Sequence, residues 1–175
     1  TEKAVPLEVT TVGTAEAFST VDVRSQVTGQ LMSVEFAEGA DVQQGQLLFT
    51  IDPRPFEVAV RQAEATRDKD TAQAGNAEAI RARNANLLKA GLMSQADYDL
   101  TATSSAALKA AVAADAAAVE NARLQLQFTK ITSPVSGRTG ALLVHQGSLV
   151  RSGDASPLVV INQLAPIRVT FAAGR

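Results

Sequence analysis

Reactive side chains are few in this chain of 175 residues, and their placement argues against catalysis. The one histidine, His145, stands beside the glycine turn at Gln146-Gly147, and cysteine is absent. One imidazole and no thiolate cannot assemble the usual zinc sites, and no disulfide framework is available. Met32 and Met93 are too far apart in sequence to suggest a soft-metal site. Asp97 and Asp99 fall near an expected helix start, where negative charge complements the helix dipole. Nothing sets them up for general acid–base work. No G-x-S-x-G, phosphate loop or dinucleotide fingerprint occurs. The expectation is a non-enzyme without metal or cofactor.

The composition points to elements that serve contact rather than chemistry. Hydrophobic residues make up 46%, but much of this is alanine, and aromatics are only 4%. Such a chain is suited to long, closely packed helices and small sheets rather than to one large core. The 16 basic and 18 acidic residues leave a net charge of −2. No basic stripe is present to neutralise phosphates, so a nucleic-acid partner is not expected. No apolar run approaches the roughly 20 residues of a membrane span. No signal peptide is apparent either, so an exported protein would be represented here by a mature or trimmed form.

Residues 1–52 read as β structure: Val21, Val23 and Val27 alternate with polar residues, Val34 and Phe36 continue the period, and glycines punctuate the segment. The pattern changes at Asp52-Pro53, with Asp52 the expected N-cap and Pro53 the first helical residue. A stripe of Phe56, Val60, Ala63, Arg67, Asp70, Ala74 and Ala77 follows at helical spacing. Gly91 suits the position just past a helix C-terminus, and Ser94 with Asp97 suits the start of a second helix reaching about Phe128. The second stripe is Tyr98, Ser105, Leu108, Val112, Val119 and Leu126. Two helices of roughly 50–57 Å joined by so short a link must lie antiparallel. Their facing positions are mostly alanine, which predicts a thin coiled-coil hairpin. Strand patterns return at Ile131, Val135, Leu142–Val144 and Leu158–Ile161, and a last strand is expected at Ile167–Phe171.

The two β segments repeat one another. Ser25-Gln26-Val27-Thr28-Gly29 matches Ser133-Pro134-Val135-Ser136-Gly137. At the same offset Gly39 matches Gly147, Val42 matches Val150, and Gly45 matches Gly153. After a two-residue insertion, Leu48–Asp52 matches Leu158–Asn162. Gly29, Gly39, Gly45, Gly137, Gly147 and Gly153 are expected at the structural turns of the repeat, where positive φ or close backbone approach is needed. Each half is too short to bury its own apolar face. The halves should pair into one β-sandwich, with the ends of the helical insertion side by side at its edge.

Each half resembles half of a biotinyl/lipoyl carrier domain. No lysine occupies the turn that carries the cofactor in such carriers; Asp52–Phe56 opens that position, and Lys69 and Lys89 lie within the expected helix. A carrier role is therefore a remote alternative. A split lipoyl-like domain with an inserted helical hairpin is similar to the HlyD-like membrane fusion proteins, or periplasmic adaptors. The stretches Val23–Leu31, Ile51–Phe56, Ile131–Gly137 and Ile161–Phe171 resemble adaptors of RND-type multidrug pumps, especially the MdtA-like branch. The implied fold is α+β: a split lipoyl-like (barrel-sandwich hybrid) domain at 21–52 and 129–162, an antiparallel coiled-coil hairpin at 53–128 with its tip near 90–94, and partial β-barrel strands at 1–20 and 163–175. Typical adaptors continue through a complete barrel and a membrane-proximal domain; Val5–Gly13 and Ile167–Phe171 would supply part of that barrel.

The resemblance also implies a partner site. The family's hairpin tip carries R-x(3)-L-x(6)-S, matched here by Arg83, Leu87 and Ser94. The arginine can donate several hydrogen bonds, the leucine is a small apolar anchor, and the serine permits close helix approach. The implied partners are an inner-membrane RND transporter, an outer-membrane TolC-like channel and further copies of the chain, in a hexamer by family habit. The implied location is the periplasm, attached to the inner membrane through regions absent from this chain. An adaptor of an ABC exporter or type I secretion system is the alternative.

Overall fold

The computed structural model describes residues 13–171. The expected barrel entry at Val5–Gly13 lies almost wholly outside them, as do residues 172–175. Two compact units are formed, a β unit on either side of a helical unit spanning Asp52–Thr129.

The β unit contains β1 (Gly13–Val23), β2 (Gly29–Val34), β3 (Asp41–Val42) and β4 (Leu47–Ile51) before the helices. After them come β5 (Lys130–Thr132), β6 (Gly137–Thr139), β7 (Leu149–Val150) and β8 (Val159–Phe171). One sheet has the order β1-β8-β6-β3 and the other β5-β4-β2-β7, with antiparallel pairing throughout the recorded ladders. The repeat maps β1 onto β5, β8 onto β4, β6 onto β2 and β3 onto β7, so the first order becomes the second. Each sheet therefore takes two strands from each half.

The correspondence extends to single hydrogen bonds. Ser136 Oγ accepts from the Gln44 amide at 2.9 Å, and Thr28 Oγ1 accepts from the Ser152 amide at 3.1 Å. The Gln43 amide donates to Gln46 Oε1, and the Arg151 amide to Asp154 Oδ2, each at 3.0 Å. The core follows the same rule: Val23 and Ile131, Val42 and Val150, Leu48 and Leu158, and Ile51 and Ile161 are matched buried pairs. Leu31 is matched by Thr139, whose buried hydroxyl is within 3.2 Å of the Ala37 and Ala40 carbonyls. Phe49 packs edge-on to Phe36 with ring centroids 5.2 Å apart.

Gly39, Gly45, Gly147 and Gly153 have φ between 73° and 91°, the left-handed region that turns of this shape require. Gly29 and Gly137 are different: they open β2 and β6 and have no positive φ. They serve close approach instead of turns. A Cβ on Gly29 would come within 2.5 Å of Ile51 Cγ2, and one on Gly137 within 2.5 Å of the Asn162 carbonyl oxygen.

The last segment also differs from expectation. Residues 159–171 form one continuous strand paired with β1, in place of two separate strands. Its pairing is irregular at one place, where Phe18 stands opposite Leu164, Ala165 and Pro166. Proline has no amide to donate to the ladder, and a bulge accommodates it.

The helical unit consists of α1 (Arg54–Lys89) and α2 (Gln95–Gln127). The first cap sits one residue later than expected, with Pro53 at the N-cap and Arg54 first in the helix. Asp52 still contributes, because its carboxylate accepts from the Arg54 amide at 3.1 Å and from the Arg54 guanidinium. That ion pair holds the Asp52 carboxyl below its usual range. All positions of the two expected stripes are buried or half-buried, with Ala74, Ser105 and Val119 the most enclosed.

Cross-helix contacts establish the antiparallel direction. Glu64 takes Arg123, Glu78 takes Lys109 and Ser105, and Arg81 reaches Tyr98. As the number rises along α1, its partner's number falls along α2. Where β4 and β5 flank the insertion they pair with each other, Thr50 opposite Lys130, so the chain leaves and re-enters the β unit at adjacent positions.

Candidate partner-docking site at the hairpin tip

The tip is built by two caps. Gly91, at φ 72°, ends α1: its amide donates to the Leu88 carbonyl, and the Leu92 amide donates to the Leu87 carbonyl at 2.9 Å. These are the two bonds of a Schellman motif, which brings the residue after the glycine beside the one five positions earlier. Ser94 then starts α2 with an extended backbone, its Oγ accepting from the Asp97 amide at 3.2 Å. The same hydroxyl donates to Asp97 Oδ2 at 2.6 Å.

Arg83 and Leu87 lie one turn apart on the exposed side of α1, away from the seam. The Arg83 Nε donates to the Ala79 carbonyl of its own helix at 3.4 Å, and no carboxylate among the described residues pairs with the guanidinium. Leu87 is 43% exposed, although an apolar side chain in a hairpin of this kind gains by facing the partner helix. Ser94 is exposed on the other side of the loop. The three are thus solvent-facing residues of one short helix–loop–helix, Ser94 serving also as a cap.

The sequence reading overlooked Leu92, which is 75% exposed. Its signal was present: an apolar residue directly after the C-terminal glycine is the usual partner in a Schellman motif. Also overlooked was the polar cluster below the tip. Glu78 accepts from Arg81 within α1, and from Ser105 (2.8 Å) and Lys109 (2.9 Å) of α2. The bonds from Arg81, then those from Lys109 and Ser105, hold the Glu78 carboxyl far below its usual range.

No competing chemical centre emerges among the described residues. A groove of about 400 Å³ in the β unit is lined by Asp41, Ser136, Arg138 and Leu164 among others. Its polar groups are already engaged, Asp41 with Arg138 and Ser136 with the Gln44 amide. No group of three metal-ligating side chains occurs among the described residues, and His145 is exposed in its turn.

A family model described as the barrel-sandwich hybrid domain of RND MFPs (membrane fusion proteins) matches residues 19–162. The chain belongs to the RND membrane fusion protein family. Two curated relatives of this family member are multidrug resistance protein MdtA of Yersinia enterocolitica, 44% identical over 171 residues, and MdtA of Proteus mirabilis, 44% identical over 170. The matches cover 98% and 97% of this chain but 39% and 41% of the relatives, so the chain spans about two fifths of their length. A solved MacA–MexA chimera carrying the Pseudomonas aeruginosa MexA α-hairpin domain is 31% identical, with a TM-score of 0.67 over 93% of this chain and 54% of the chimera. The matched segment of this membrane fusion protein includes the whole hairpin and both halves of the β repeat. No helix among its described residues is long and apolar enough to cross a membrane.

Proposed function

We propose that this chain belongs to a periplasmic adaptor that links an inner-membrane RND transporter to an outer-membrane TolC-like channel for export of small molecules. Membership of the RND membrane fusion protein family supports the transporter class, and the relatives' name, multidrug resistance protein, supports the cargo class. The observation that carries the channel-facing role is the exposed set at the hairpin tip. Arg83 has no carboxylate partner among the described residues, and Leu87 turns outward from a seam that could have enclosed it. A donor with several free N–H groups beside an apolar anchor is suited to carbonyls and side chains at the end of a partner helix.

The role is non-catalytic. It places the protein in the periplasm at the inner membrane, in several copies whose hairpins stand side by side around a conduit. The RND class is favoured over an ABC exporter or secretion system by the family match.

The test is a photo-crosslinker at Ser94 in intact cells, with the captured protein identified by mass spectrometry. Capture of an outer-membrane channel supports the bridge. Capture of soluble proteins alone in actively pumping cells overturns it. Arg83→Asp should leave folding unchanged and abolish efflux; unaltered drug resistance would remove Arg83 from the docking set.

A further inference from the structure

The seam between α1 and α2 is poor in features that could fix how far one helix is displaced along the other. In the half of the hairpin nearer the tip the enclosed or half-buried positions include Ala74, Ala77 and Ala85 of α1 and Ala102 of α2, whereas the larger Phe56, Val60, Val119 and Leu126 lie toward the base. In α1 only Ala74 is fully enclosed. Sliding one helix by a turn would exchange small residues for small residues at those positions, with less loss of packing than at the base. The caps at Gly91 and Ser94 and the pairing of β4 with β5 limit the displacement at the two ends, and between them it is left to side chains.

One group of side chains does distinguish a single register. Glu78 receives three donors, Arg81 from its own helix and Ser105 and Lys109 from the other. Ser105 and Lys109 are four residues apart and so project from one face of α2. Arg81 carries the connection on to the Tyr98 hydroxyl at 3.2 Å, one turn into α2 from its cap. Ser105 is 1% exposed, and Glu78 and Arg81 are each 34% exposed, so a slip would strand partly buried polar groups. Polar contacts within an apolar helix seam are well suited to this use: they add little stability and penalise every other alignment.

We propose that Glu78 is a positioning residue that sets the register of the hairpin, and so fixes where Arg83 and Leu87 stand relative to Ser94 at the tip. The register needs no partner to exist; only its consequence for docking rests on the adaptor role. Glu64 and Arg123, the other cross-helix ion pair, lie near the base with Arg123 59% exposed, and such a surface pair constrains little.

Nitroxide labels at Ala59 and Thr103, both solvent-facing, on opposite helices and far apart along the hairpin axis, would report the alignment by pulsed electron resonance. The chain has no cysteine, so the two labelling cysteines are unique. The parent chain should give one narrow distance. Glu78→Ala should shift or split it by about 5 Å, the rise of one helical turn, with helix content retained. Glu64→Ala should leave it unchanged. If Glu78→Ala loses its helices, Glu78→Gln is read in its place. A distance distribution unchanged at full helicity, or changed equally by Glu64→Ala, would overturn the assignment. Crosslinking from Ser94 in the Glu78 variant separates the two readings. A shifted register with unchanged channel capture leaves the positioning of the helices intact but removes its consequence for the tip. No capture even from the parent would instead count against the adaptor role.

Discussion

Gly29 and Gly137 hold equivalent places in the two halves of the β unit, yet a side chain on each would meet a different obstacle. At Gly29 the nearest atom is a methyl of Ile51, and at Gly137 it is the carbonyl oxygen of Asn162. A methyl can move by a small rotation, whereas a ladder carbonyl takes its strand with it. Gly137→Ala should therefore destabilise the β unit by about 1–3 kcal/mol, the usual range for overpacking, and Gly29→Ala by less. Urea unfolding of both variants checks the order; equal losses would contradict it.

Phe49 is fully enclosed and packs edge-on to Phe36. Phe49→Ala should cost about 3–5 kcal/mol through lost transfer energy and a residual cavity. Phe36→Ala should cost less, because Phe36 is only half-buried. The denaturation midpoints of the two variants provide the comparison.

Leu92 is the most exposed of the large apolar residues among those described and holds its place through a backbone bond to Leu87. Leu92→Asp should change thermal stability by no more than about 0.5 kcal/mol, as expected of an exposed position. If the tip docks as proposed, the same substitution should sharply reduce crosslinking from Ser94. Full crosslinking by a correctly folded Leu92→Asp chain would exclude Leu92 from the contact.

Acid should weaken the hairpin through Glu78. Its carboxyl is held below the ordinary value of 4.5 by Arg81, Lys109 and Ser105. A lowered folded value contributes stability that is fully present above pH 4.5 and is lost as the pH falls through the folded value. Melting followed by far-UV circular dichroism should show the parent's advantage over Glu78→Gln at neutral pH and its disappearance in strong acid. An advantage that persists there would assign the effect to packing.

Much of this architecture was legible because repeated physical demands leave repeated residues. Positive-φ turns selected Gly39, Gly45, Gly147 and Gly153, and helical spacing marked both seam stripes, although alanine is a minority of the enclosed positions and not the rule the composition suggests. Gly29 and Gly137 could not be told from turn glycines, since a close approach between distant strands leaves the same residue as a turn does. The join of the last two strand patterns into β8 was hidden by Pro166, which reads as a break but sits at a bulge. At the tip, Arg83, Leu87 and Ser94 stand out only through their match to the family's motif, and the structure places them at the exposed end of the hairpin. Glu78 was missed because its partners Ser105 and Lys109 lie on another helix, and pairing across a seam depends on a register that one sequence does not declare.

The alternation of strands between the two sheets also constrains when the β unit can form. As the chain is synthesised, β2 and β4 can pair at once, but β1 must wait for β8 and β3 for β6. Between them in the chain lies the whole helical insertion, whose contacts are closer in sequence and can form early. Throughout that interval the first half carries Val23, Val42 and Phe49 without the strands that will enclose them. The helical insertion thus sets a delay, during which half a core remains open to whatever else is nearby.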